Sequence, residues 1–380
     1  MGKAEMTGRE RLLAAIRHEE PDRVPVSPRI AAWMQAELGS TSLATMLDKL
    51  PDIDPMHIVG DGTVNYLDSY PAEYDLPDVQ VEEKRYDEAG LKVVERVFRT
   101  PAGTLSDRTK IAPAGGEYGV HPNPIKTEHV VKGPDDLAAL QYLLKPVNTD
   151  FDFLRPDLDL LGDRGVLMVC IRSALDHNAG YARDMQDLMM DYYDDRAFFD
   201  ELVGLYQRRS LEQIRAACEA GVEFIFGSWY FTSVSAGWSP ALFEEVFAPM
   251  IREHVALTHS YGAYYDFYDD GKLDATMEMI ADAGVDVLET CTPAPVGDFD
   301  LRKAKEAIGA RTTIKGWVDL LYVVKHGTPE LVEQTVREGM EIAKPGGGFI
   351  IGSSDSFREG TPRENIDTYF RACLEYGVDD

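Results

Sequence analysis

Eight short apolar runs, alternating with longer amphipathic stretches, constrain this chain more than any other feature. In order they are Arg23–Val26, His57–Gly60, Val166–Ile171, Glu223–Phe226, Ala263–Tyr268, Val285–Glu289, Thr312–Gly316 and Gly348–Ile351. Helical periodicity marks Leu202–Ala220, Pro240–Tyr261, Leu273–Ala283 and Pro329–Ala343. The last opens with Thr328 as a cap and proline at the first helical position. Strands that alternate with helices predict a parallel sheet. Eight of them predict an α/β chain folded as a (β/α)8 TIM barrel. A doubly wound sheet is the rival, and no Gly-x-Gly-x-x-Gly follows an early strand to support it.

One region breaks the alternation. Residues 79–110 read as antiparallel hairpins, with Val79–Tyr86 and Leu91–Phe98 as arms and Gly90 in the turn. The expectation is a single domain over 1–380, with 79–110 a β-hairpin insertion between the second and third barrel strands. Such an insertion suits a cover for the barrel mouth or a dimer contact. Before the first strand, Thr7 followed by Glu10 predicts a capped opening helix, which Pro21 ends.

Composition excludes several function classes. The 66 acids against 38 bases give a net charge of −28, which repels nucleic acid and anionic membrane. No apolar run approaches the roughly 20 residues that span a bilayer. The first residues lack the apolar core of a signal peptide, and Met6 stands where a myristoylation motif needs Ser or Thr. The four cysteines, Cys170, Cys218, Cys291 and Cys373, form no Cys-x-x-Cys pair. A cytoplasmic, reduced protein is expected.

Chemistry in such a barrel gathers where strands end. Those ends supply Arg29, Asp61, Arg172 with His177, Trp229, Asp266 with Tyr268 and Asp270, Glu289 with Cys291, Asp319, and Asp355. The stretch Ala263–Gly271 is the richest: alternation places Asp266, Tyr268 and Asp270 on one face, and Tyr265, Phe267 and Asp269 on the other. Asp266 and Asp270 suit general acid or base work, or an anchor for a cation. Each also suits a hydrogen-bonded strand end. Tyr264, Tyr265 and Tyr268 with Trp229 and Trp238 suit an aromatic wall, or ordinary packing. His177 suits a base or a helix-cap position. Cys291 has no local base and reads as structural.

The segment Arg9–Val26 resembles the opening of the uroporphyrinogen decarboxylase superfamily, most closely its branch of corrinoid-dependent methyltransferases. Ser239–Pro249 is similar to that family's Ser-Pro helix, and Gly347–Asp355 with Thr361–Asn365 to its C-terminal strand and loop. The resemblance implies a barrel, a homodimer, and a small-molecule substrate. The decarboxylases carry an arginine-rich loop that grips several substrate carboxylates; the matching stretch Ser27–Gln35 holds Arg29 alone. Thiol-directed methyltransferases of the family bind zinc through His-x-Cys and a later Cys. Tyr268, Asp270 and a position near Asp355 stand there instead, so a thiol acceptor is disfavoured. Oxygen ligands at Asp266, Asp270, Glu289 and Asp355 suit a harder metal ion, if any.

The leading expectation is a methyltransferase that moves a methyl group between a small substrate or tetrahydrofolate and a corrinoid. A partner protein would bring the corrinoid. Catalysis falls to Asp270, Asp266, Tyr268 and His177, and substrate binding to Arg29, Asp61, Trp229, Glu289 and Asp355. The alternatives are a lyase or decarboxylase for a small carboxylated substrate, and a barrel that binds without catalysis.

Overall fold

In the computed structural model, which describes residues 5–63, 76–115 and 122–378, seven of the eight apolar runs pair side by side. The chain's strands in order are β1 (Met56–Gly60), β2 (Gln80–Glu88), β3 (Leu91–Thr100), β4 (Gly103–Ile111), β5 (Ile125–Glu128), β6 (Val166–Arg172), β7 (Phe224–Ser228), β8 (Tyr264–Tyr268), β9 (Val287–Thr290), β10 (Thr313–Val318) and β11 (Phe349–Ser353). One sheet runs β1-β6-β7-β8-β9-β10-β11. Its pairings from β7 through β11 are all parallel. Helices connect these strands, as a parallel crossover requires.

The expected first strand is corrected to two isolated bridges, the first an antiparallel one between Arg23 and Val378. Val26 pairs with Ile351 in parallel at one point only. Pro25 has no N–H to give to a ladder, and Asp54 Oδ2 captures the Val26 N–H at 2.9 Å. The remaining backbone groups divide their partners: Ile351 N donates to Pro25 O and Asp54 N to Val26 O. The segment therefore lies against β11 on one side and the approach to β1 on the other.

Thr7 and Glu10 cap the helix Gly8–Ile16 reciprocally, as expected. Its Leu12, Ala15 and Ile16 join Met56, Val166, Met168, Phe224, Phe226, Tyr268, Val287 and Ile350 in one buried cluster. Thr313, the first residue of β10, bonds Ala15 O, so this helix covers the end of the sheet where strands begin. Arg11 fastens it from below, pairing with Asp22 at 2.7 Å and Asp54 at 2.5 Å. Arg23 adds a second bond to Asp54 at 2.7 Å.

The described chain divides into two compact units, Met1–Val59 with Asp150–Ile171 and Ala217–Asp380, and Gly60–Thr149 with Arg172–Ala216. The second holds a four-stranded antiparallel sheet, β2-β3-β4-β5. Val93, Phe98 and Leu105 are buried on it. Beside them Asp107 accepts from Arg96 Nε and Lys126 Nζ, each at 2.8 Å. Among the described residues, no helix is long and apolar enough to cross a membrane.

Candidate active site

Parallel register assembles the site in the first unit. Tyr268 pairs with Glu289, Glu289 with Lys315, and Lys315 with Ile350. One layer nearer the strand starts, Phe226 pairs with Asp266 and Asp266 with Val287. Residues in register share a face, and Phe226, Tyr268, Val287 and Ile350 all belong to the cluster under the capped helix. That face is apolar at its base and ionisable toward the strand ends.

Arg29 enters this layer from the segment after Val26. Ser353 Oγ receives the Arg29 N–H at 3.1 Å, and Phe357 N bonds Arg29 O at 2.8 Å, which fixes its backbone against the end of β11. Its guanidinium lies over the Tyr268 ring at 4.3 Å and near Phe226 at 5.7 Å. Asp355 is 3.8 Å from Arg29 Nε, and already takes Arg358 at 2.8 Å. Arg29 Nη1 is buried with no hydrogen-bond partner. Burial works against its charge, but Tyr268, Glu289 and Asp355 outweigh that and keep it firmly cationic.

Asp270 follows Tyr268 past the end of β8. The Tyr268 hydroxyl donates to Asp270 Oδ2 at 3.4 Å. Burial, and next the charge of Asp355, push the Asp270 carboxyl up to about 6, although Arg29 pulls the other way. A carboxylic acid poised there can give or take a proton near neutrality. Burial also raises the Tyr268 hydroxyl, which stays protonated.

Beneath lie two buried carboxyls and a lysine. Glu289 and Lys315 form an ion pair at 2.8 Å, both almost wholly buried. Burial alone would raise Glu289, yet Lys315 and Arg29 hold it ionised, below its ordinary range. Asp266 is raised well above the ordinary range, first by burial and then by the Glu289 charge. It is the protonated member of the pair, since two adjacent carboxylates do not both ionise. Its proton bonds the Glu289 carboxylate.

The backbone around these groups is strained. Thr290, Cys291 and Trp317 hold φ of +78°, +50° and +89°. Such conformations cost about 1–3 kcal/mol each and persist only where the surroundings enforce them. Gly316, at φ +130°, permits β10 to pass close to Thr290; a Cβ there would lie 2.2 Å from Thr290 O. The strained residues flank Glu289 and Lys315.

The structure brings together Arg29, Asp266, Tyr268, Asp270, Glu289 and Asp355. It adds Lys315, a residue of β10. Its signal in the sequence is a lone charge in an otherwise uncharged strand. Trp229 is placed elsewhere: fully buried, it donates through Nε1 to Tyr265 Oη at 2.8 Å and stacks on Phe267. Tyr265 also faces His254 at 3.1 Å. The expected aromatic wall therefore reduces to Tyr268, because Tyr265 lies on the opposite face and Tyr264 stacks on Phe224 at the strand start. Trp238 is tied to Phe231 O. Cys291 donates to Leu288 O at 3.3 Å, and burial raises its thiol.

His177 and Asp61 belong to the second unit. Asp61 accepts from Gln213 Nε2 at 2.7 Å and Thr63 Oγ1 at 2.6 Å. His177 stacks on Tyr206, and burial, with Arg172 and Arg209, lowers it to about 3. A neutral imidazole held that low is a poor general base. Among the described residues, no three His, Cys, Asp or Glu side chains gather as a metal site. Of the three expected ligands, Asp266 meets Glu289, while Asp270 lies near Asp355.

No curated protein matches the chain. Its fold is similar to that of a methyltransferase from Methanosarcina mazei, at TM-score 0.65 and 16% identity over 98% of this chain and 99% of that one. A B12-independent methionine synthase from Shewanella sp. W3-18-1 overlaps more loosely, at TM-score 0.42 and 10% identity over 62% and 68% of the two chains. The family pattern of uroporphyrinogen decarboxylase (URO-D) matches residues 114–376. The chain belongs to the uroporphyrinogen decarboxylase family.

Proposed function

We propose that this chain is an enzyme that moves a methyl group between a small substrate, or a folate, and a corrinoid carried by a partner protein. In this reading the sheet closes as a (β/α)8 barrel, with the Arg23–Val26 segment in the first position. The carrying observation is Asp270, a carboxyl pushed up to about 6 at the mouth of β8. When a methyl group leaves oxygen or nitrogen, the atom it leaves must gain a proton. Asp270 supplies it, oriented by Tyr268. Arg29, with Nη1 free, steadies negative charge on the leaving group. A reduced corrinoid, when bound, supplies a nucleophilic cobalt that accepts the methyl group. The donor set fits this partner chemistry at the substrate end, since it offers a proton and a cation where thiol-directed relatives of the family place zinc ligands.

The free Nη1 of Arg29 favours a second reading, a carboxy-lyase that grips a substrate carboxylate through the same guanidinium. One assay separates the two. The purified chain is mixed with methoxy and methylamine donors and a cob(I)alamin-loaded corrinoid protein, and methylcobalamin is followed by absorbance. Its appearance supports methyl transfer. Its absence, with carbon dioxide released from small carboxylates, replaces that reading by the lyase.

A further inference from the structure

A cavity of about 510 Å³ opens beside Arg29 in the first unit. That volume is in the range of small-molecule sites. Its wall is largely aliphatic, with Met46, Ile53, Met56 and Ile58 among the lining residues. Two cations border it, Arg29 and Lys315, and its described lining includes no Asp or Glu. In a chain of net charge −28, a cavity with this lining is set apart from the surface around it. His57 also lines it; burial lowers its pKa, against the pull of Asp157 at 3.6 Å.

We infer that this cavity receives a monoanion with an apolar body, its charged end held between Arg29 and Lys315 and its body against Met56 and Ile58. The proposal rests on the methyl-transfer reading only in naming that enzyme's substrate class. Hydrogen-bonding capacity selects a single negative charge. Lys315 already faces Glu289 at 2.8 Å. The carboxylate nearest Arg29 is Asp355, at 3.8 Å and shared with Arg358, and Arg29 Nη1 has no partner. One unpartnered donor suits a carboxylate, whereas a dianionic phosphate would meet the charges of Asp355 and Asp270 with too little cation to neutralise it. The aliphatic wall selects an apolar body, because a polyhydroxylated one would leave its hydroxyls unpaired there.

The test is calorimetric titration of the full chain, without corrinoid, with benzoate, neutral benzamide and phenyl phosphate. Benzoate is expected to bind at least about tenfold tighter than benzamide, the scale of one charged hydrogen bond. Ile58→Trp fills the cavity and abolishes benzoate binding. Lys315→Met alone would strand Glu289, so the double variant Lys315→Met with Glu289→Gln is used, and its benzoate affinity falls about tenfold. Equal binding of benzoate and benzamide overturns the proposal, as does tighter binding of phenyl phosphate at pH 8 or no effect of Ile58→Trp. Benzoate binding in a chain that transfers no methyl group upholds the cavity and sinks the transfer. Methyl transfer in a chain blind to benzoate does the reverse.

Discussion

Asp107 and Asp266 are both buried aspartates on β-strands, 2% and 1% exposed, and their surroundings drive them in opposite directions. Asp107, in the antiparallel sheet, receives donors from Arg96 and Lys126. Burial alone would raise it, but those cations overcome burial and hold it ionised. Asp266, in the parallel sheet, faces another carboxyl, Glu289, and keeps the proton that bonds the two. The first is a closed electrostatic account of a fold. The second sets a carboxyl against a carboxylate, and in the same site Arg29 Nη1 has no partner. Buried polar atoms are nearly always satisfied in native proteins, so the unpartnered Arg29 Nη1 beside these carboxyls points to function.

The largest expected effect tests the open cluster. Asp270→Asn should lower kcat for methyl transfer by about 10²–10⁴-fold, the usual worth of a general acid, with the far-UV spectrum unchanged. A decrease under tenfold would remove Asp270 from the proton-transfer role. Next comes the closed cluster: Asp107→Asn leaves Arg96 and Lys126 without their counter-charge and should cost about 3–5 kcal/mol in urea unfolding. Asp266→Asn sharpens the contrast. Because Asp266 is already protonated, the same substitution should shift stability by less than about 1 kcal/mol. A loss as large as that of Asp107→Asn would show that Asp266 is ionised, and would end the comparison.

Two smaller effects concern pH. Asp270 binds its proton more tightly folded than unfolded, so between about pH 4 and about pH 6 stability declines as pH rises. Methyl transfer, which needs the protonated form, should likewise fall as pH rises through about 6. Asp270→Asn should flatten both profiles. His177 has the opposite sign. Its folded pKa, lowered to about 3, means that stability is lost as pH falls from about 6.5 toward 3. Comparing wild type with His177→Gln by thermal melts at pH 7 and pH 4.5 should show a smaller gap for the variant.

Much of this was legible in the linear chain, because it depends on local pattern. Seven apolar runs became strands within a residue or two of their expected limits. Pro329–Ala343 is helical over the expected span, and Thr7 with Glu10 forms the capping box. The face alternation of β8 also held: Asp266 and Tyr268 look one way, Tyr265 and Phe267 the other. The failures share a cause. Arg23–Val26 has the composition of a strand, but Asp54, distant in sequence, takes the Val26 N–H that a ladder would use. Trp229 has the residue type of a ligand wall, yet the neighbours that absorb it, Tyr265 and His254, arrive from other elements.

What the sequence by itself determined is the set of elements, their order, the family, and the residues at each strand end. Periodicity and capping act over a few residues, so a single chain carries them openly. Only the tertiary structure decided which of those residues share a site and in what state. Register across β8, β9 and β10 placed Lys315 beside Glu289 and left Asp266 protonated. The turn of the backbone after Val26 laid Arg29 over Tyr268. Desolvation and the charge of a neighbour set the affinity of each carboxyl for its proton, and both exist only once distant strands have met.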